Sequence, residues 1–95
     1  MDKDSPLAFN NLTKSEQDIL LEWCKDLVRI KATNHHQDTY TVKHLFSKGR
    51  FYITNGAMKG ALLLTGFTPF DTNALNWKFN ISERSLKKLW KEANN

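Results

Sequence analysis

The sequence predicts a mainly α-helical fold with one small β-hairpin, arranged as a winged helix-turn-helix. Three observations favour this fold. Apolar residues recur at three- and four-residue steps in several segments, two short helical segments follow each other in mid-chain, and polar and apolar residues alternate near residue 80. Because 95 residues provide for one core, we expect a single domain over residues 1–95, with residues 1–12 as a loose lead-in.

The first helix is predicted over Thr13–Ala32. Thr13 places a hydroxyl at the helix start and Glu16 places a carboxylate three residues later, which is the pattern of a capping box. Apolar residues then follow at helical spacing, namely Ile19, Leu20, Trp23, Leu27 and Ile30. Cys24 lies beside this stripe, and we interpret it as a small core residue rather than a nucleophile.

Two short helices are predicted in the middle of the chain. One covers Val42–Lys48, with Thr41 as its N-cap and Gly49 just beyond its end. The other covers Thr54–Thr65, begins with a capping Thr54 and closes at Gly66. Two short helices in close succession, after a longer helix that can brace them, are typical of a helix-turn-helix unit.

The hairpin is predicted over residues 67–81. Its second arm alternates polar and apolar side chains, so that Trp77, Phe79 and Ile81 share one face. A hairpin that directly follows a helix-turn-helix would be a wing.

The last helix is predicted over Glu83–Ala93. It also carries a stripe of cations, namely Arg84, Lys87, Lys88 and Lys91. This stripe is either a track for phosphates or an ordinary solvated face, and both interpretations stay open.

Most large apolar side chains are expected to form the core, whereas Tyr52 and Phe70 are the rings expected at the surface. The core is predicted to contain Leu20, Trp23, Leu27, Leu45, Phe46, Met58, Leu62, Phe67, Phe79, Leu86 and Trp90.

Charge is unevenly distributed along the chain. The net charge is +4, and residues 1–32 hold five basic and six acidic side chains while the remainder hold nine and four. A basic region favours a polyanionic partner, of which nucleic acid is the commonest soluble example. The apolar runs are short, the start lacks a secretory pattern and one cysteine cannot form an internal disulfide, so we expect a cytoplasmic protein without a membrane segment.

No motif of an enzyme is present in the sequence. Phosphate-binding glycine loops, nucleophile elbows and spaced metal-ligand sets are all lacking, so we expect no catalytic, cofactor or metal site. The candidate function is instead nucleic-acid binding, because cations can meet phosphates while rings stack on unpaired bases. The candidate contacts are Lys43, Lys48, Arg50, Tyr52, Asn55, Lys59 and Lys78.

Two glycines, Gly56 and Gly60, leave a smooth strip on the third predicted helix beside Asn55 and Lys59. Either this strip lets backbone amides at the helix start approach a phosphate, or it permits close packing against another element. The outward line of this helix offers Asn55, Lys59 and the apolar Leu63, which is a poor set for reading bases in a major groove. Single-stranded DNA is therefore favoured over duplex.

Several segments together carry a resemblance to a known family: Tyr40–Phe46, Phe51–Gly56, Lys59–Ala61, Gly66–Phe67 and Asn76–Ser82. They resemble the small DNA-binding proteins encoded by staphylococcal cassette chromosome elements and related Gram-positive phages. The resemblance implies a winged helix-turn-helix that binds single-stranded DNA in the replication of a mobile genetic element, with element-encoded replication proteins as further candidate partners. The alternatives are a duplex-binding regulator and a protein-interaction adaptor that does not contact DNA.

Overall fold

Four α-helices and one 3-10 helix make up the regular structure of residues 2–94, which are the residues that the computed structural model describes. The 3-10 helix covers Pro6–Asn11 and is followed by α1 (Lys14–Cys24), α2 (Thr39–Ser47), α3 (Asn55–Leu64) and α4 (Glu83–Ala93). Within this span no β-strand forms, and two isolated antiparallel bridges are the nearest approach to a sheet. No helix of residues 2–94 is long and apolar enough to cross a bilayer.

Helix α1 begins as predicted but ends early. The Thr13 hydroxyl accepts a hydrogen bond from the Glu16 N–H (3.2 Å), and the Glu16 carboxylate accepts one from the Thr13 N–H (2.9 Å), so the capping box is confirmed. The predicted end at Ala32 is wrong, because the helix stops at Cys24. Leu27 is still buried, but Val28 and Ile30 are exposed, so the helical spacing of apolar residues does not continue in the structure.

The chain beyond α1 is extended because its backbone pairs with a distant segment. The Ile30 N–H donates to the Asn80 carbonyl (3.0 Å), and the Ser82 N–H donates to the Val28 carbonyl (2.7 Å). The Asn34 N–H continues the pairing by donating to the Phe79 carbonyl (2.9 Å). In a helix through residues 25–32 these backbone groups would hydrogen-bond to each other. In the structure they bond residues 79–82 instead, so the helix cannot continue.

The predicted hairpin over residues 67–81, and with it the wing and the winged helix-turn-helix fold, is wrong. The Pro69–Phe79 bridge and a hydrogen bond from the Phe70 N–H to the Lys78 carbonyl (2.9 Å) join its two arms. The next donor, the Thr68 N–H, bonds the Asn80 side chain (2.7 Å) and not its backbone, so no ladder forms. The second arm instead pairs with residues 28–39 on its other side. Its inward face was nevertheless predicted correctly, because Trp77 and Ile81 are buried together with Phe79.

Helices α2 and α3 are close to their predicted positions. Helix α2 begins at Thr39 because the Asp38 carboxylate caps it, accepting from the Thr41 N–H (3.1 Å), so the prediction of Thr41 as the cap is wrong. Helix α3 is capped by Thr54 as predicted. Every residue of 55–62 is buried, so α3 is a core helix and lacks the exposed face of a recognition helix.

Residues 2–12, which we call the N-terminal segment, pack directly on α3, whereas residues 1–12 were predicted to be a loose lead-in; residue 1 lies outside the described residues. Phe9 of the 3-10 helix is buried in the main core. A Cβ atom on Gly60 would lie 2.5 Å from the Pro6 carbonyl oxygen, and a Cβ on Gly56 would overlap the Ser5 carbonyl. The two glycines therefore allow a close approach of backbone to backbone, which is the packing alternative considered for them.

The core contains all but one of the side chains predicted for it. Trp90 is the exception, since it is 48% exposed while Leu86 and Leu89 supply the buried side of α4. Cys24 is fully buried, as predicted, and its burial raises the pKa of the thiol to about 12.

Candidate nucleic-acid interface

One surface of α2 combines exposed rings with cations. Tyr40, His44 and Lys48 follow one another at four-residue steps and therefore share a side of the helix, with Lys43 beside them. Tyr52, on the segment after α2, lies against the same side through its contact with Lys43. We call these five residues the α2 face. Its two tyrosine rings are well exposed, Tyr40 by 52% and Tyr52 by 70%.

Lys43 is the centre of the α2 face. Its ammonium nitrogen lies 4.5 Å from the centroid of the Tyr52 ring and 5.6 Å from that of Tyr40. The Tyr40 ring also meets the His44 ring edge to face, with 4.4 Å between centroids. Lys43 itself is only 6% exposed, so it acts on the rings rather than as a free surface charge. Cation–π contacts of this kind contribute about 0.5 to 2 kcal/mol and hold the rings in place.

Lys48 connects the α2 face to α4. Its ammonium nitrogen lies 5.2 Å from the centroid of the Trp90 ring and donates a hydrogen bond to the Asn94 side chain. Trp90 thus extends the row of accessible rings from α2 onto α4.

The basic stripe predicted on α4 is exposed along its whole length, at Arg84, Lys87, Lys88 and Lys91. Lys87 also lines a groove of about 230 Å³ between α2 and α4. Trp90 lines the same groove and is in contact with Lys48, so the groove borders the α2 face at this ring.

Arg50 faces a different environment. Its guanidinium carbon lies 5.6 Å from the centroid of the Phe46 ring, and the residue lines a shallow depression together with three acidic side chains of the α1 region, Asp18, Glu22 and Asp26. Neighbouring carboxylates offset its charge and repel phosphates, so the structure does not bring Arg50 into the α2 face.

Asn55 and Lys59 lie underneath the N-terminal segment. The Lys59 ammonium donates to the Asp4 carbonyl (2.7 Å) and lies 4.7 Å from the centroid of the Trp77 ring. Burial lowers the pKa of Lys59, and the charges of Asp4 and Asp2 oppose that change. The Asn55 amide donates to the Asp4 carboxylate (3.2 Å) and to Leu75 and Asn76. Both residues are structural in this arrangement.

Lys78 lies in the segment that was predicted as the wing. It is half-buried, and its carbonyl accepts a hydrogen bond from the Phe70 N–H (2.9 Å). Within residues 2–94 the structure records no contact between Lys78 and the α2 face. Of the seven predicted site residues, the structure therefore brings Lys43 and Tyr52 into contact and places Lys48 at the end of the same helix, against Trp90.

Sequence reasoning missed three members of this surface: Tyr40, His44 and Trp90. Because α2 was expected to begin after Tyr40, the four-residue spacing of Tyr40, His44 and Lys48 was not counted as one helical side. Recognising Asp38 as the N-cap would have revealed it. Trp90 fits the apolar periodicity of α4, and only the position of α4 against α2 leaves it accessible.

Comparison with known proteins gave no match: no protein-family model, no curated protein and no solved structure is significantly similar to the chain. The family resemblance drawn from the sequence segments therefore stays a prediction.

Proposed function

We propose that this protein binds single-stranded DNA through the α2 face, without a catalytic role of its own. The observation that carries the proposal is the placement of the Lys43 ammonium between the Tyr40 and Tyr52 rings, both of which are exposed. Accessible rings supported by cations suit unpaired bases, which stack on aromatic side chains at about 1 to 3 kcal/mol per base. The family resemblance extends the proposal to the replication of a mobile genetic element.

Phosphates would be met by the cations that border the rings. Lys43 contacts both tyrosine rings, Lys48 contacts the Trp90 ring, and Lys87 lines the same groove as Trp90. A strand crossing from the α2 face to α4 would thus pass rings and cations together.

Sequence-specific recognition of duplex DNA is less well supported. It normally uses a helix whose exposed side chains enter the major groove, whereas residues 55–62 of α3 are buried and Asn55 and Lys59 are occupied by the N-terminal segment. This is why we place single strands ahead of duplex.

The test is a competition assay with a labelled single strand, challenged by unlabelled single strand or by duplex of matched length. We expect the single strand to compete and the duplex to compete poorly. Binding should also weaken steeply with salt. For single strands, the logarithm of the affinity falls by about 0.7 per phosphate contact for each tenfold rise in salt concentration. Equal competition by duplex would favour a duplex-binding regulator. An affinity that does not change with salt concentration would favour a protein-interaction adaptor.

A matched pair of variants locates the site. Tyr52→Ala should weaken binding markedly with little change in salt slope, because it removes a ring and no charge. Phe70→Ala is the control, because Phe70 is a comparably exposed ring, 62% accessible, that contacts His35 and lies outside the α2 face. Equal losses in the two variants would contradict the assignment to this face.

A further inference from the structure

The groove between α2 and α4 combines apolar walls with one polar end. Its walls come from both helices and include the half-exposed Trp90. The polar residues that line it are Gln37, Thr41, Glu83 and Lys87. The apolar wall residues are Val42, Leu45, Leu86 and Trp90. Apolar walls with a few convergent polar groups are typical of small-ligand sites.

The Glu83 carboxylate is held in place by neutral partners. One of its oxygens accepts a hydrogen bond from the Asn34 amide (3.0 Å), and the other accepts one from the Gln37 amide (3.2 Å). Each carboxylate oxygen has a second lone pair, so each can accept once more. The salt bridges found in the described part of the chain do not involve Glu83. The groove therefore ends in an oriented, negatively charged acceptor.

We propose that this groove holds one unpaired base of the bound strand, with guanine fitting best, stacked on Trp90 and donating its N1–H and N2–H groups to the oxygens of Glu83. The inference rests on the proposed single-strand binding and adds a base preference to it. Guanine presents two neighbouring donors, which match the two oxygens of a carboxylate. Thymine presents one donor between two carbonyl oxygens, and those oxygens would face a like-charged acceptor.

The charges around the groove favour a base over a peptide. Lys87 lines the groove and Lys48 lies 5.2 Å from the Trp90 ring, so two cations border the groove and can attract the phosphates of a strand whose base enters it. A basic rim alone would also suit an acidic amphipathic peptide. The Glu83 carboxylate at the groove end would repel such a peptide, whereas it attracts the donor edge of a base.

The experiment uses thymidine strands of about 12 nucleotides, a length within the range that small single-strand-binding domains cover. The central thymidine is replaced by deoxyguanosine or by deoxyinosine, which lacks only the 2-amino group of guanine. We expect the guanine strand to bind at least about 5-fold more tightly than the inosine strand, and the all-thymidine strand to bind most weakly. These measurements need only the unmodified protein.

A pair of variants assigns the preference to Glu83. In Glu83→Gln the ratio of inosine to guanine dissociation constants should fall to about 1, because the amide keeps one acceptor and turns a donor towards the base. Glu92→Gln is the matched control, an exposed glutamate on the same helix that does not line the groove, and it should keep the ratio. An unchanged ratio in Glu83→Gln would remove Glu83 from the site.

Fluorescence supplies a second readout. Trp23 and Trp77 are buried while Trp90 is half-exposed, so quenching by the guanine strand should be lost in Trp90→Phe. Equal affinity for all strands, with no quenching, would overturn the base site, leave single-strand binding standing and favour a peptide occupant. Failure to bind any strand would overturn both proposals.

Discussion

The Lys59 ammonium donates a 2.7 Å hydrogen bond to the backbone carbonyl of Asp4. The same N-terminal segment caps the start of α3, where the Gly56 N–H donates to the Lys3 carbonyl (2.8 Å). The segment thus occupies the amide and the cation that a phosphate would need at the start of α3. This contact is the reason why the candidate interface lies on α2 rather than on α3.

The approach of the N-terminal segment to α3 predicts that Gly60→Ala is destabilising. The new methyl group would lie 2.5 Å from the Pro6 carbonyl oxygen, which is backbone and cannot rotate away. Overpacking costs about 1 to 3 kcal/mol, which we expect to exceed the gain of up to about 1 kcal/mol from the higher helix propensity of alanine. Urea unfolding measures the difference. Ser15→Ala, at an exposed site in α1, is the control and should change the stability by less than about 0.5 kcal/mol. A Gly60→Ala protein as stable as the parent would contradict the packing described here.

Two lysines should respond differently in a salt titration of single-strand binding. Lys48→Ala should reduce the slope of log affinity against log salt by about 0.7, the value of one phosphate contact on a single strand. Lys59→Ala should leave the slope unchanged but lower the free energy of unfolding by about 1 to 3 kcal/mol, because it removes a buried hydrogen bond to Asp4. Lys25→Ala is the control for the slope, since Lys25 pairs with Glu22 on α1 (3.2 Å). A reduced slope in Lys59→Ala would show that the N-terminal segment moves aside for DNA.

We expect ionised Glu83 to stabilise the fold at neutral pH and to lose this contribution in acid. The hydrogen bond from Asn34 is the largest cause of the lowered pKa of Glu83, and Gln37, Lys87 and His36 act in the same direction. A carboxyl group whose pKa is lower in the folded state stabilises the fold above its unfolded pKa and loses that contribution as the pH falls through the folded pKa. The stability difference between the parent and Glu83→Gln should therefore be larger at about pH 7 than at about pH 3. Urea midpoints at the two pH values measure it, and a difference independent of pH would contradict it.

The buried thiol of Cys24 should be inert in the folded protein. Its pKa, raised to about 12 by burial, leaves almost no thiolate at neutral pH, and the side chain is inaccessible. A chromogenic thiol reagent should therefore react slowly in buffer and rapidly in denaturing urea, in proportion to the unfolded fraction. Fast modification without urea would indicate that α1 opens locally.

The exposure of two aromatic rings, Tyr52 in the α2 face and Phe70 outside it, could be predicted from single residues. Tyr52 and Phe70 were expected to be the exposed rings, and both are exposed in the structure. Lys59 and Asn55 could not be placed correctly, because their burial depends on a segment about 50 residues away in the sequence. A helical wheel describes the sides of one helix, but it contains no information about which remote segment covers each side.

The sequence by itself determined the local features: the caps at Thr13 and Thr54, the extent of α4 and the inward side of Trp77, Phe79 and Ile81. These depend on residues within a few positions of each other, so the chain carries their signals locally. Only the tertiary structure decided where α1 ends and which segment pairs with residues 77–82. Residues 28–34 bond the backbone of Phe79, Asn80 and Ser82, whereas residues 67–70 bond the Lys78 carbonyl and the Asn80 side chain. Both pairings join segments that are remote from each other or joined by a long turn, so packing of the whole core, and no local pattern, sets them.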